Sequence, residues 1–137
     1  MNINWYPGHM AKAKRLISES LKLVDIILEI RDARIPLSSA NPDFDDLFTN
    51  KTRIVFLNKS DLANSSVTED WVDWFAAQGI KAVPINSLNP RDTNNAKSII
   101  LDIAKEFYDR IRKRKGINKT IRGMVIGIPN VGKSAFI

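Results

Sequence analysis

Gly127-Ile128-Pro129-Asn130-Val131-Gly132-Lys133-Ser134 fits the pattern G-x-x-x-x-G-K-[ST], and each fixed position has a chemical reason. Gly127 and Gly132 let the backbone come close to phosphate oxygens. Amides along Asn130, Val131 and Gly132 can then point inward at them. The N-terminus of a following helix would add positive potential. Lys133 would reach the β- and γ-phosphates, and the Ser134 hydroxyl would ligate Mg²⁺. A chance glycine turn beside a lysine is the bland alternative. The apolar run Met124 to Ile128, leading straight into the loop, speaks against it.

A second motif, Asn58-Lys59-Ser60-Asp61, stands well before the first. Its residue types can read guanine. Asp61 can accept hydrogen bonds from N1 and the exocyclic amino group of that base. Adenine has no proton at N1 and no amino group there. Polar groups left unpaired in this way discriminate by about 10⁴ or more. Lys59 can lay its methylene stem along the base, and Asn58 can tie the loop to neighbouring segments. A solvated turn after a strand is the competing reading, weakened by the phosphate loop in the same chain. A third loop should offer a backbone amide to guanine O6. Asn86-Ser87-Leu88 is the candidate, with Ser87 as the residue concerned.

Such loops need strands behind them. Val24 to Ile30, Arg53 to Leu57 and Met124 to Ile128 are continuous apolar or β-branched runs. Runs of this length suit strands buried on both faces of a parallel sheet. Ala82 to Ile85 is shorter, and Pro84 marks it as a strand end or an edge. Helical spacing covers His9 to Leu23, Val67 to Gln78 and Asn95 to Arg114, with Gly79 closing the second. Trp71, Trp74 and Phe75 are expected to anchor that helix on the core. Alternating strands and helices predict an α/β fold with right-handed crossovers. The guanine motif then leaves the carboxyl end of a strand, where ligands of open α/β sheets bind.

The length of 137 residues suits one domain, and 44% hydrophobic residues can build a core. The absence of cysteine excludes a disulfide framework and a thiolate metal site. No segment reaches the roughly 18 apolar residues of a membrane span, and no secretory signal pattern opens the chain. The net charge is +6. Arg110, Arg112, Lys113, Arg114, Lys115 and Lys119 form one cluster, and Lys12, Lys14 and Arg15 a smaller one. Clustering of this kind is the footprint of a nucleic-acid partner; solvated helix ends are the alternative.

In ordinary GTPases the phosphate loop precedes the guanine motif. Here the order is guanine motif, serine loop, phosphate loop, as in circularly permuted GTPases. Trp5-Tyr6-Pro7-Gly8-His9-Met10-Ala11-Lys12-Ala13 opens the chain, and Arg31-Asp32-Ala33-Arg34-Ile35-Pro36-Leu37-Ser38-Ser39-Ala40-Asn41-Pro42 follows the first strand. With these segments the chain resembles the YlqF/RbgA family of ribosome-assembly GTPases along essentially its whole length. The resemblance implies a circularly permuted P-loop GTPase fold, with a mostly parallel sheet and flanking helices. It implies a cytoplasmic, monomeric bacterial protein that binds GTP and GDP with Mg²⁺ and hydrolyses GTP. Its partner would be the large ribosomal subunit precursor, rRNA and ribosomal proteins together, late in maturation.

The family has a hydrophobic residue where other GTPases keep a catalytic glutamine. His9, the single histidine, is then a candidate to orient the attacking water; a helix-start or packing role is the alternative. Asn130 resembles the asparagine that holds K⁺ in cation-dependent relatives. Asp32 and Arg34 have a place, at the end of the first strand, but no assigned role. Ala135 and Phe136 depart from the family's more common threonine and leucine, and leave Ser134 intact. Residues 1–137 read as one permuted GTPase domain cut off after the phosphate loop. The switch segments and the helical RNA-binding domain are not among them. The phosphate-loop strand is accordingly expected at an exposed sheet edge, and the piece alone is expected to be inactive. Two other functions compete: a ribosome- or RNA-binding module with a non-hydrolysing nucleotide site, and an ATP-dependent P-loop enzyme. Asp61 opposes the latter.

Overall fold

The computed structural model describes residues 7–37, 48, 51–116 and 120–127, without the side chains of 7–11, 13 and 14. Four strands form its sheet: β1 (Ile26–Asp32), β2 (Thr52–Asn58), β3 (Lys81–Pro84) and β4 (Gly123–Gly127). They lie in the order β3-β2-β1-β4 and all pair in parallel. Their carboxyl ends therefore share one edge. The expected α/β fold with a parallel sheet is what forms, and β4 is an edge strand among those described.

Strands β1 and β2 are buried along nearly their whole length because helices cover both faces. On one face Ile26, Leu28, Ile54, Phe56, Val83 and Ile85 pack with Ala96 and with Ile99, Ile100 and Ile103 of helix α3 (Pro90–Lys115). On the other face there are two clusters. Ile27, Leu21, Val24 and Phe48 meet Ile17 of helix α1 (Pro7–Leu21). Val55, Leu57, Ala33 and Ala82 meet Phe75, Trp71 and Val72 of helix α2 (Ser65–Ala77). Phe75 is fully buried and Trp71 half-buried, as expected of anchors, whereas Trp74 is 44% exposed.

Local chemistry sets the helix ends. The Asn64 side chain accepts the Val67 N–H at 3.2 Å and starts α2. Gly79, at φ 77°, turns the chain out of it. Helix α3 begins at Pro90, earlier than the Asn95 expected from apolar spacing, because Asn89 caps it and Pro90 suits a first turn. Its last turn holds Arg112, Lys113, Arg114 and Lys115 before Gly116 at φ 66°. Cations there oppose the negative end of the helix dipole.

Strand β1 also runs further than its apolar stretch, to Asp32 rather than Ile30. Arg31 and Asp32 can stay buried because both are paired. Glu29, under the sheet, accepts Arg31 Nη2 at 2.9 Å and Arg53 Nη2 at 2.8 Å. The two guanidinium groups lie over aromatic rings, Arg31 on Phe75 at 5.0 Å and Arg53 on Phe48 at 5.3 Å. One carboxylate thus holds a buried and a part-buried cation and joins the two clusters of that face. Removing one member of a buried ionic group strands the others, at a cost of about 3–5 kcal/mol. Glu29→Ala should lower the urea-unfolding free energy by about that much, whereas a loss under about 1 kcal/mol would mean the cations find solvent instead.

Candidate functional site

Asp32 and Asn58 end neighbouring strands directly in register. Asn58 is 2% exposed and among the largest fully buried side chains. Its Oδ1 accepts the Ser87 N–H at 2.9 Å, and its backbone carbonyl accepts the Ala33 N–H at 2.7 Å. One residue thus fastens the loop after β1 and the loop after β3. Ser60 adds a second tie: its N–H and its hydroxyl both donate to the Ile85 carbonyl, at 3.0 and 2.9 Å. The serine loop is held in turn to α3, where Asp92 Oδ2 accepts the Asn86 N–H at 2.8 Å.

Lys59 lies between these anchors in the left-handed region, φ 61°. That conformation costs a non-glycine residue about 1–2 kcal/mol. The bonds of Asn58 and Ser60 on either side impose it. The short 3₁₀ turn Ser60–Leu62 follows and leaves Asp61 exposed at the carboxyl edge of the sheet. A base reader needs such an accessible carboxylate.

Beside the motif stands a pair whose role the sequence left open. Asp32 Oδ1 accepts the Arg34 backbone N–H at 2.9 Å and Nε at 3.0 Å, and its Oδ2 accepts Nη2 at 2.7 Å. Lys59 Nζ lies 3.7 Å from the same Oδ2. The Arg34 hydrogen bond is the main cause that holds the Asp32 carboxyl below its ordinary pKa, against the opposing effect of burial. Asp32 and Asp61 both favour the charged form of Arg34.

The structure therefore brings Asn58, Lys59, Asp61 and Ser87 to one edge. Gly127 ends β4 on that edge, paired with Ile30 of β1. Asn130, Val131, Gly132, Lys133 and Ser134 lie outside the described residues. His9 falls near the start of α1, with its side chain outside them too. Sequence reasoning missed the contact of Asp32 with Lys59 and the anchor Asp92. The signal for the first was present: a carboxylate at the end of a strand, in a parallel sheet, faces the loop of the next strand.

No family model matches the sequence. The chain is 49% identical over 138 residues to the Ribosome biogenesis GTPase A of Bacillus licheniformis, aligning 100% of this chain with 48% of that protein. The protein of the same name from Bacillus pumilus is 47% identical over 138 residues, again across 100% of this chain and 49% of its own. The fold is similar to a crystal structure of GNP-bound YlqF from T. maritima, with TM-score 0.62 and 31% identity, over 90% of this chain and 45% of that one. Along its whole length the chain is similar to proteins of the YlqF/RbgA family. It spans about half the length of the curated relatives it matches. The resemblance carried by the permuted motif order is thus found again in sequence and in fold.

The Asp32 pair has a pH consequence. Its folded pKa is depressed, so its contribution to stability is full above the ordinary carboxylate value. It is lost as pH falls through the lower folded value. Between about pH 4 and pH 2, the melting temperature should therefore fall less steeply in Asp32→Asn than in the unsubstituted protein; equal slopes would show that other carboxylates dominate.

Proposed function

We propose that this protein binds and hydrolyses GTP and acts in late maturation of the bacterial large ribosomal subunit, in the cytoplasm and as a monomer. The observation that carries the nucleotide half is the tie between Asn58 and Ser87 at the carboxyl edge of the sheet. It sets the loop bearing Lys59 and Asp61 against the serine loop, so that the carboxylate able to read the base and the loop expected to border O6 share one edge. The GNP-bound state of the T. maritima relative supports the same ligand class.

In this proposal Asp61 accepts from the base N1 and amino groups, Lys59 lies along its face, and the serine loop borders O6 at Ser87, whose own N–H is given to Asn58 Oδ1. Asn130, Val131 and Gly132 present amides to the phosphates, and Lys133 neutralises their charge. The Ser134 hydroxyl would hold Mg²⁺ and Asn130 K⁺; both ions would supply charge neutralisation where the phosphate bond breaks. His9 would orient the attacking water. Exchange of Asp61 tests the base assignment. An asparagine amide offers a donor to the C2 carbonyl of xanthine where the carboxylate met the guanine amino group. Asp61→Asn should weaken GTP on the order of 10³-fold and admit XTP. Unchanged GTP affinity, or ATP competing equally with GTP in the unsubstituted protein, would end this assignment.

The ribosomal half rests on the relatives' names and on charge. Arg112, Lys113, Arg114 and Lys115 crowd the last turn of α3, and Lys12 and Arg15 are exposed on α1. Such clusters favour RNA through counterion release, so binding should weaken as salt rises. The full-length protein should therefore sediment with large-subunit precursor particles at low salt and turn over GTP faster in their presence. His9→Ala, or Na⁺ in place of K⁺, should slow that turnover at least tenfold. The isolated residues 1–137 should turn over GTP poorly. Binding to the particles without any turnover would instead favour an RNA-binding module with a non-hydrolysing site.

A further inference from the structure

Lys59 has a long stem with much rotamer freedom to lose. A base can rest along that stem only where its far end is fixed. In the structure the far end points to Asp32, with Nζ 3.7 Å from Oδ2. The Asp32 side chain is 7% exposed, against 32% for Lys59, so the carboxylate is the fixed partner and the ammonium the movable one. Asp32 is itself immobilised by three hydrogen bonds from Arg34, to the backbone N–H, Nε and Nη2. The strand register adds a fourth constraint, because Asp32 sits directly opposite Asn58, the residue before Lys59.

We infer that Asp32 is a positioning residue of the guanine-reading loop: it tethers the Lys59 ammonium and pre-orders the stem on which the base lies. This rests on the guanine-nucleotide assignment proposed above. Arg34 has the supporting part. It fixes the carboxylate through one side of its guanidinium, and its charge also faces Asp61. Charges then alternate along Lys59, Asp32, Arg34 and Asp61, and the loop after β1 becomes part of the base pocket without touching the base. A tether of this kind acts on nucleotide affinity through Lys59 alone. A merely structural ion pair would act on stability and be indifferent to what stands at position 59.

A double-mutant cycle on the full-length protein separates the two, read as the affinity for a fluorescent N-methylanthraniloyl-GDP. Asp32→Asn should weaken binding by about three- to tenfold. Lys59→Met should weaken it at least as much. The double variant should bind no more weakly than Lys59→Met alone. Asp32→Glu keeps the charge and displaces it by one methylene, so it should lose less than Asp32→Asn, and its effect should also vanish beside Lys59→Met. This variant carries the test if Asp32→Asn does not fold. Equal losses from the Asp32 change with lysine or methionine at 59 would overturn the inference, as would no loss at all. Failure of the unsubstituted protein to bind the nucleotide would overturn the guanine assignment, and the inference with it.

Discussion

The buried Asn58 carboxamide is the contact on which the geometry of the candidate site depends. A polar side chain with so little exposure must find partners inside the protein. Its oxygen takes the Ser87 amide, and its own carbonyl takes the Ala33 amide. Both partners lie in loops that leave different strands. Satisfying one asparagine therefore fixes the spacing of three loops at once. Loss of either partner would leave a buried group unpaired, at about 1–3 kcal/mol. The left-handed turn at Lys59 follows from the same fastening. The chain must reverse between two anchored neighbours, and the strain stays local.

Charge is handled differently along β1. In its middle, Glu29 is enclosed by two guanidinium groups under the sheet, with aromatic rings closing the outer faces. The group serves packing between the two clusters of that face, and Arg31 also donates from Nη1 to the Pro36 carbonyl at 3.4 Å. At the end of the strand the pairing turns outward. Asp32 remains buried, but Arg34 is 45% exposed. One strand thus carries a largely buried ionic group and a more accessible one. The second borders the loop with Lys59 and Asp61.

Most of the architecture was legible because parallel strands buried on both faces read as unbroken apolar runs. The cores of β1, β2, β3 and β4 lie where those runs do. The ends were less legible. Apolar spacing could not see the Asn89-Pro90 start of α3, which comes from capping and from proline geometry rather than from burial. It could not see Arg31 and Asp32 as strand, because their burial depends on partners elsewhere, Glu29 before them and Arg34 after them. At the site, Asn58, Lys59, Asp61 and Ser87 were readable as residue types at known spacings. Their ties were not, apart from the expectation that Asn58 joins neighbouring segments. Asp92 holding Asn86 and Asp32 reaching Lys59 are products of register, and register is a property of the sheet.

The same register explains why the order of motifs along the chain can be permuted. What a nucleotide needs is a base-reading loop and a phosphate loop at a set separation. Here β2 leads to the proposed base-reading loop, β4 leads toward the proposed phosphate loop, and β1 lies between the two strands. Two interstrand spacings separate their carboxyl ends, about 9.5 Å. That distance depends on which strands are neighbours and not on which comes first in sequence. Parallel pairing keeps all carboxyl ends on one edge whatever the order of the crossovers. The strand between the motifs acts as the spacer, and its last residue, Asp32, stands where a carboxylate can reach the base-reading loop. A permuted chain can therefore keep the spatial site intact, provided the sheet keeps β1 at its centre.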